Sequence, residues 1–226
     1  MKIVLSHERE KLSARKLGHP VVEHAEDIPR TDDITVIRWG NRTLNSEREF
    51  AHVVNKASAI KKSVNKPLAL ETMRTAVRTP DVYTTQVPRG VCAVIRPICH
   101  TSGVDFEMHD GPYTIPEGHY GKKFIHAEKE YRAWFAGDDV MMARRTSMRG
   151  QTDPTNRSGW GYAFFGRTEG RTLREKALAA KRTLGLDFGA ADVLWDASAG
   201  EYVFLEMNTA PSLDHPEVLE FFRTRL

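Results

Sequence analysis

Residues 184–208, LGLDFGAADVLWDASAGEYVFLEMN, constrain the fold more than any other stretch of the chain. Two segments with strand-forming residues, Ala190–Trp195 and Glu201–Asn208, flank a small polar turn, which is the pattern of an antiparallel hairpin. With Ser198-Ala199-Gly200 as a three-residue loop and Gly200 in the left-handed position, Ala197 faces Glu201 and Asp192 falls opposite Glu206. Alternation along the second strand puts Tyr202, Phe204, Glu206 and Asn208 on one side. Directly opposed residues have β-carbons only ~4.5–5.5 Å apart, so two carboxylates are expected to meet. They raise each other's pKa unless a cation lies between them. Hard oxygen donors of this kind suit magnesium, which takes its other ligands from water and phosphates. Taken alone, the same hairpin is also consistent with an acidic ribbon facing solvent.

The rest of the chain bounds the class. Its 226 residues are enough for one large domain or a few small lobes, and 40% hydrophobic with 28% charged is ordinary globular composition. Apolar runs fall far short of the ~18 residues that a membrane helix needs. The amino terminus, MKIVLSHEREKL, reads as a strand leading into a helix and not as a secretory signal. Cys92 and Cys99 make no disulfide framework, which suits a reducing, cytoplasmic compartment. A net charge of +3, from 33 basic and 30 acidic residues, is too mild to argue a nucleic-acid partner. The basic pairs Lys61-Lys62, Lys122-Lys123 and Arg144-Arg145 are as well explained by solvated faces as by a site.

Along the chain, residues 2–5 read as a strand, a charged helix runs to about Leu17, and residues 21–23 and 34–39 are further strands. No glycine-rich fingerprint follows the first strand, so nucleotide binding is expected elsewhere. Ser46-Glu47-Arg48-Glu49 fits a capping box, and Phe50, Val53, Val54, Ala57, Ile60 and Val64 recur at helical spacing, predicting one helix from Ser46 to Val64. Pro67 opens another helix, ended by Thr79-Pro80, with a strand near Val82-Tyr83. Val91–Pro97 is an apolar strand, residues 98–113 a polar loop, and Lys123–Ile125 a short strand. Tyr131–Phe135 and Val140–Arg145 form a hairpin, and residues 146–161 a long polar loop of the kind that tends to be functional. Thr172-Leu-Arg-Glu175 is a second capping box, opening a helix that Gly185 closes, and a short helix starts near Pro216.

Helix, LGLDFGAADVL, turn and YVFLEMNTAPSLD together resemble the end of ATP-grasp proteins, where Asp, Glu and Asn hold magnesium ions. Upstream, NKPLALETMRTAVRTPDVY resembles the family's lysine-bearing helix, VIRPICHTSG its phosphate-binding strand and glycine-rich loop, and KFIHAEKEYRAWFAG its adenine hinge and following strand. The ribosomal-protein glutamate ligases are similar, and RWGN with the short chain resembles compact bacteriophage members; the resemblance covers roughly Val36 to Asp214.

The resemblance implies an α/β architecture of α+β lobes: a short pre-ATP-grasp lobe over residues 1–64 and an ATP-grasp domain over 65–226. The latter would divide into a lid near 80–128 and a metal-binding subdomain near 129–226. It implies Asp192, Glu206 and Asn208 as ligands for magnesium or manganese, and Lys66 and Arg96 on the ATP phosphates. Lys123, Phe124, Ile125 and His126 would form the adenine hinge, and Glu130 would take the ribose hydroxyls. Arg132 and Arg145, with Glu206, would serve catalysis, and Asn156 is a further candidate. Arg96 stands where the family commonly has Lys, and only Gly103 lies near that strand.

The implied reaction is ATP- and magnesium-dependent joining of a carboxylate, on a small molecule or peptide, to an amine or thiol through an acyl phosphate. A kinase and a nucleotide-binding module without turnover remain alternatives on the same scaffold. Two carboxylates beside a triphosphate would repel it, so ATP binding is expected to depend on magnesium. The sequence gives no oligomeric state.

Overall fold

The computed structural model describes residues 1–43, 50–99, 107–127, 129–147, 160–166 and 170–226. Four short apolar segments build a parallel sheet: β1 (Lys2–Ser6), β2 (Val21–Val22), β3 (Thr35–Trp39) and β4 (His52–Val54), in the order β2-β1-β3-β4. Ile3, Leu5, Ile28, Ile34, Val36 and Phe50 fill one face of this lobe. A short helix, α1 (Lys11–Arg15), covers the other, where Val4, Ala14, Leu17, Ile37 and Trp39 join a core shared with the carboxyl-terminal sheet.

β4 corrects the helix expected from Ser46 to Val64. Val53 and Val54 pair with Val36 and Ile37 of β3, so these β-branched residues are spent on a strand and the helix α2 (Ala57–Val64) starts only after them. Their spacing satisfied both periods, and strand pairing decided between them. The capping box at Ser46 lies outside the described residues.

Asn55 makes the break. It takes a left-handed φ of 60°, which Asn tolerates better than most residues. Its side chain is fully buried: Nδ2 donates to the Phe188 carbonyl at 2.9 Å, and Oδ1 accepts from the Asp187 and Phe188 backbone N–H groups at 2.7 and 3.2 Å. The Asn55 N–H donates in turn to the Asp187 carboxylate at 2.7 Å. Asn55→Ala is therefore expected to lower unfolding stability by about 2–3 kcal/mol, since it strands buried donors and acceptors. Urea titration checks this, and a loss below about 0.5 kcal/mol would show the clamp to be unimportant.

α2 and α3 (Lys66–Met73) lie on the large carboxyl-terminal sheet: Ala59, Ala69, Leu70 and Met73 share a core with Ala133, Phe135, Leu184 and Phe204. Asn65 caps α3 by accepting from the Leu68 N–H, with Pro67 in the first turn as its fixed φ favours. A second antiparallel sheet follows, ordered β5-β10-β7-β8, from β5 (Val82–Tyr83), β7 (Cys92–Pro97), β8 (Glu107–Asp110) and β10 (His119–Lys123). β6 (Gln86–Val87) and β9 (Tyr113–Thr114) form a small ribbon over it. β8 lies inside the segment expected to be loop, and β9 begins at its last residue, Tyr113. EMHD is mostly exposed and carries no alternation, so only its backbone bonds to β7 define it. The strand expected at Lys123–Ile125 is also displaced, since β10 ends at Lys123.

The large sheet is antiparallel and ordered β13-β12-β11-β14-β15: β11 (Lys129–Ala136), β12 (Asp139–Ser147), β13 (Trp160–Phe165), β14 (Phe188–Asp196) and β15 (Glu201–Asn208). One face packs on α3 and α4 (Arg171–Leu184); the other meets the amino-terminal lobe and α5 (Pro216–Arg223), with Trp39 stacked on Phe188 at 5.1 Å. α4 starts with Gly170, not Thr172, at its N-cap position and makes no side-chain cap bond, while Gly185 closes it at φ 73° as expected. Among the described residues no helix is long and apolar enough to cross a membrane.

Candidate active site

Asp192 and Glu206 are register partners in the last hairpin, by a different route from the three-residue loop. The turn holds four residues, with Asp196 opposite Glu201, and the Asp196 carboxylate ties it by accepting from Ser198 and Ala199. A bulge then opens between Asp192 and Val193: Val193 pairs with Phe204, and Leu205 is the extra residue. The bulge also sorts the faces. Tyr202, Phe204 and Met207 pack on the helix side, so they do not share a side with Glu206 and Asn208, which turn into the cleft with Asp192.

Asn208 Nδ2 donates to Asp192 Oδ2 at 3.0 Å and to Glu206 Oε1 at 3.1 Å, so both carboxylates converge on one small group. Arg132, opposite Asp192 on β11, donates to Oδ1 at 2.8 Å. On the other flank Lys66, the first residue of α3, lies 3.8 Å from Glu206 and donates to the Met207 carbonyl at 3.3 Å. Burial pushes the Asp192 carboxyl up to about 6, aided by the charge of Glu206 and opposed by Arg132. Burial opposes ionisation of Glu206 too, but Lys66 and Lys122 outweigh it and hold Glu206 well below the usual carboxylate range. The pair is therefore split, with Glu206 the charged member.

This split has a pH signature. The folded Asp192 carboxyl binds a proton more tightly than its ordinary 3.8, so the wild type gains stability as pH falls from about 7 toward 4. Asp192→Asn cannot show that gain. In chelator, the difference between the two unfolding free energies is expected to change by about 2 kcal/mol over this window. Curves that run parallel at every pH would contradict the split.

The remaining sequence candidates distribute around this pair. Glu130 and Arg145 lie on the same sheet face and form an ion pair at 2.9 Å, while Arg144 points to the opposite, exposed side. Arg96, on β7, is paired with Tyr120 of β10. Phe124 and Ile125 are half-buried, and Lys123 and His126 exposed, in the extended link from β10 to β11. The N–H groups of Lys123 and Phe124 already donate to the carbonyls of Asp81 and Cys92. Asn156, Gly103 and most of the loop expected over 146–161 lie outside the described residues.

One site residue escaped the sequence reading. Lys122 alternates with the exposed Lys123, so it shares the inner face of the second sheet with Arg96 and Tyr120. Burial lowers its pKa, Glu206 opposes that, and Arg96 and Lys66 add to it, which places all four around one space.

No protein-family model matches the chain, and no curated protein matches it either. Its architecture does match solved structures. An ATP-grasp superfamily protein from Archaeoglobus fulgidus superposes with a TM-score of 0.67 at 15% identity, over 99% of this chain and 84% of that one. The D-alanine–D-alanine ligase of Bacillus anthracis in complex with ATP gives 0.65 at 10% identity, over 93% and 86%. The ATP-grasp ligase PsnB with a minimal precursor, magnesium and ADP gives 0.64 at 13% identity, over 96% and 91%. The chain has the ATP-grasp fold.

Lys66, Lys122, Arg132, Asp192, Glu206 and Asn208 gather between the second sheet and the large one. The donor set suits a hard divalent ion. Two carboxylates and an amide meet within hydrogen-bond distance of one point, and amide rotation would replace the Asn208 nitrogen by its oxygen. Among the described residues no three His, Cys, Asp or Glu side chains cluster, so water or the oxygens of a ligand would have to complete the shell of a divalent ion.

Proposed function

We propose that the chain is an ATP-dependent ligase that activates a carboxylate with magnesium and joins it to an amine. The observation that carries the reading is the Asp192–Glu206–Asn208 group, flanked by Arg132 and Lys66, in a cleft of the ATP-grasp fold. Neighbours with this fold include a D-alanine–D-alanine ligase with ATP and a ligase with magnesium and ADP.

Asp192, Glu206 and Asn208 would hold magnesium, whose contribution is to neutralise and orient phosphate oxygens. Lys66 and Arg96 reach the same space from α3 and β7 and would take ATP phosphates as charge-assisted donors. Because Lys123 and Phe124 have their N–H groups engaged, adenine would be read by Ile125, His126 and the half-buried Ala127. In the proposed reaction the substrate carboxylate oxygen attacks the terminal phosphorus, ADP leaves, and an amine then displaces phosphate from the acyl carbon. Arg132 and Arg145 would face the negative charge that develops on the acyl oxygen, which preorganised donors stabilise without reorganising.

A screen of carboxylate and amine pairs for ADP release tests the reading. A pair that yields ADP, phosphate and an amide supports it. ADP with a stable phosphorylated product would instead make the chain a kinase, and ATP binding without any turnover a binding module.

A further inference from the structure

α4 leaves part of its own face of the large sheet uncovered. There Trp195 of β14, Tyr202 of β15 and Tyr131 of β11 form a strip, all half-buried, with Tyr202 centred 4.9 Å from Trp195 and 5.5 Å from Tyr131. A cleft of about 410 Å³ runs between Trp195 and Tyr202 on one side and Arg171 and Lys176 of α4 on the other. Alternation along β11 turns Tyr131 away from Arg132, so this surface lies on the side of the sheet opposite Asp192 and Glu206. The hydroxyls of Tyr131 and Tyr202 and the indole N–H of Trp195 make no hydrogen bond among the described residues.

Three cations border the strip. Lys129 is the register partner of Trp195 and Arg144 that of Tyr131, so each shares the face of the ring it opposes. Lys176 lines the cleft from α4. None of the three has an ion pair or a side-chain hydrogen bond among the described residues. The acids beside them are already matched: Glu201, at the cleft, pairs with Arg78 at 3.5 Å, and Glu175 pairs with Arg171 at 3.0 Å. Rings with unused donors, flanked by unmatched positive charge, complement a partner that is negatively charged and also has apolar area to bury.

We infer that this surface docks an acidic peptide segment. One apolar or aromatic side chain of the peptide enters the cleft beside Trp195 and Tyr202, and its carboxylates meet Lys129, Arg144 and Lys176. A buried anchor inside a charged rim is how a short peptide gains affinity from a small area. Charge alone would suit a single-stranded nucleic acid equally well, but the rings do not. They meet edge to face, at 64° and 82°, whereas successive bases need ring faces open in series. The inference stands apart from the ligase reading, because none of these residues belongs to the metal-binding group.

Fluorescence anisotropy of the full chain with a pool of labelled Asp- and Glu-rich peptides, each holding one Phe, Trp or Leu, tests this. The same peptides with Asn and Gln in place of the acids, and oligothymidylate, serve as controls. At least one acidic peptide is expected to bind roughly tenfold or more tightly than its amide counterpart, and to weaken as salt rises. Lys129→Glu combined with Lys176→Glu should weaken that peptide by about tenfold or more, and Lys176→Arg should keep its affinity. Trp195→Ala should cost about as much through the lost anchor, and melting temperatures show that each variant is folded. The inference is overturned if no acidic peptide binds, if the amide peptides bind as well, or if the charge-reversed variant keeps the affinity. Oligothymidylate bound as tightly as the best acidic peptide would overturn it too and make the surface a nucleic-acid site. Each of these outcomes leaves the ligase reading untouched, since ADP release does not enter the measurement.

Discussion

Glu206→Gln is expected to reduce ATP-dependent ADP release by roughly 10²–10³-fold, the loss typical of removing one preorganised charge contact from a transition state. Glu206 is the carboxylate that stays ionised, because Lys66 and Lys122 face it and Asn208 donates to it. Gln preserves shape and one acceptor oxygen but cannot hold a divalent ion as a carboxylate does. The stability effect has a definite sign. A carboxylate whose folded pKa is depressed stabilises the fold above its ordinary pKa, and that contribution disappears as pH falls through the depressed value. Glu206→Gln should therefore be modestly less stable at neutral pH, and the loss should shrink on acidification. Melting curves alongside ADP release measure both quantities. Full ADP release by the variant, with substrates that the wild type uses, would remove the basis for the ligase reading.

The pairing of Asp192 with Glu206 was legible in sequence, although the local reason differed. A three-residue turn and a four-residue turn followed by one bulged residue lead to the same partner, because the fourth turn residue, Ala197, comes from the first strand and the bulge residue, Leu205, from the second, so the two shifts cancel. What alternation alone could not show was the bulge at Leu205, which sends Phe204 into the core and Glu206 into the cleft. β1 and β3 were legible because short apolar runs in a buried parallel sheet have few other uses. β4 was not, since Val53 and Val54 fit a helical stripe equally well and only contact with β3 selects the strand. β13 lies partly in a segment read as polar loop, and its partner β12 defines it through the pairs from Met142–Phe165 to Ser147–Trp160.

Period-two alternation along β11 puts Arg132 on the face of Glu130, and the structure brings its guanidinium to Asp192. Lys122 was lost for a related reason. Two adjacent lysines read as a solvated pair, and which one turns inward depends on the register of β10 with β7. Starting the strand at Lys123 hides that parity. Pairing of Lys122 with Val94 and of Tyr120 with Arg96 reveals it.

Arg132→Met should produce the second large loss. Arg132 contributes the bond to Asp192 at 2.8 Å, and its guanidinium lies 5.8 Å from the centre of the Trp134 ring, so packing holds it in place. Methionine fills much of the volume and keeps the apolar contact, which isolates the effect of charge. Asp192 is then left half-buried beside Glu206 without its counter-ion, and a lone charge there costs part of the about 3–5 kcal/mol that breaking a fully buried pair does. The carboxyl escapes that cost by holding its proton, so its pKa rises further above about 6. A protonated Asp192 is a poor metal ligand. Turnover at neutral pH and limiting magnesium should fall roughly 10²-fold or more, with partial recovery as pH is raised. Wild-type activity at limiting magnesium should rise over a lower pH range, because Arg132 keeps Asp192 easier to ionise. Rate profiles of both proteins against pH, at several magnesium concentrations, separate the two contributions. A variant whose profile is scaled down but not displaced would show that Arg132 acts on the substrate alone and leaves the ionisation of Asp192 untouched.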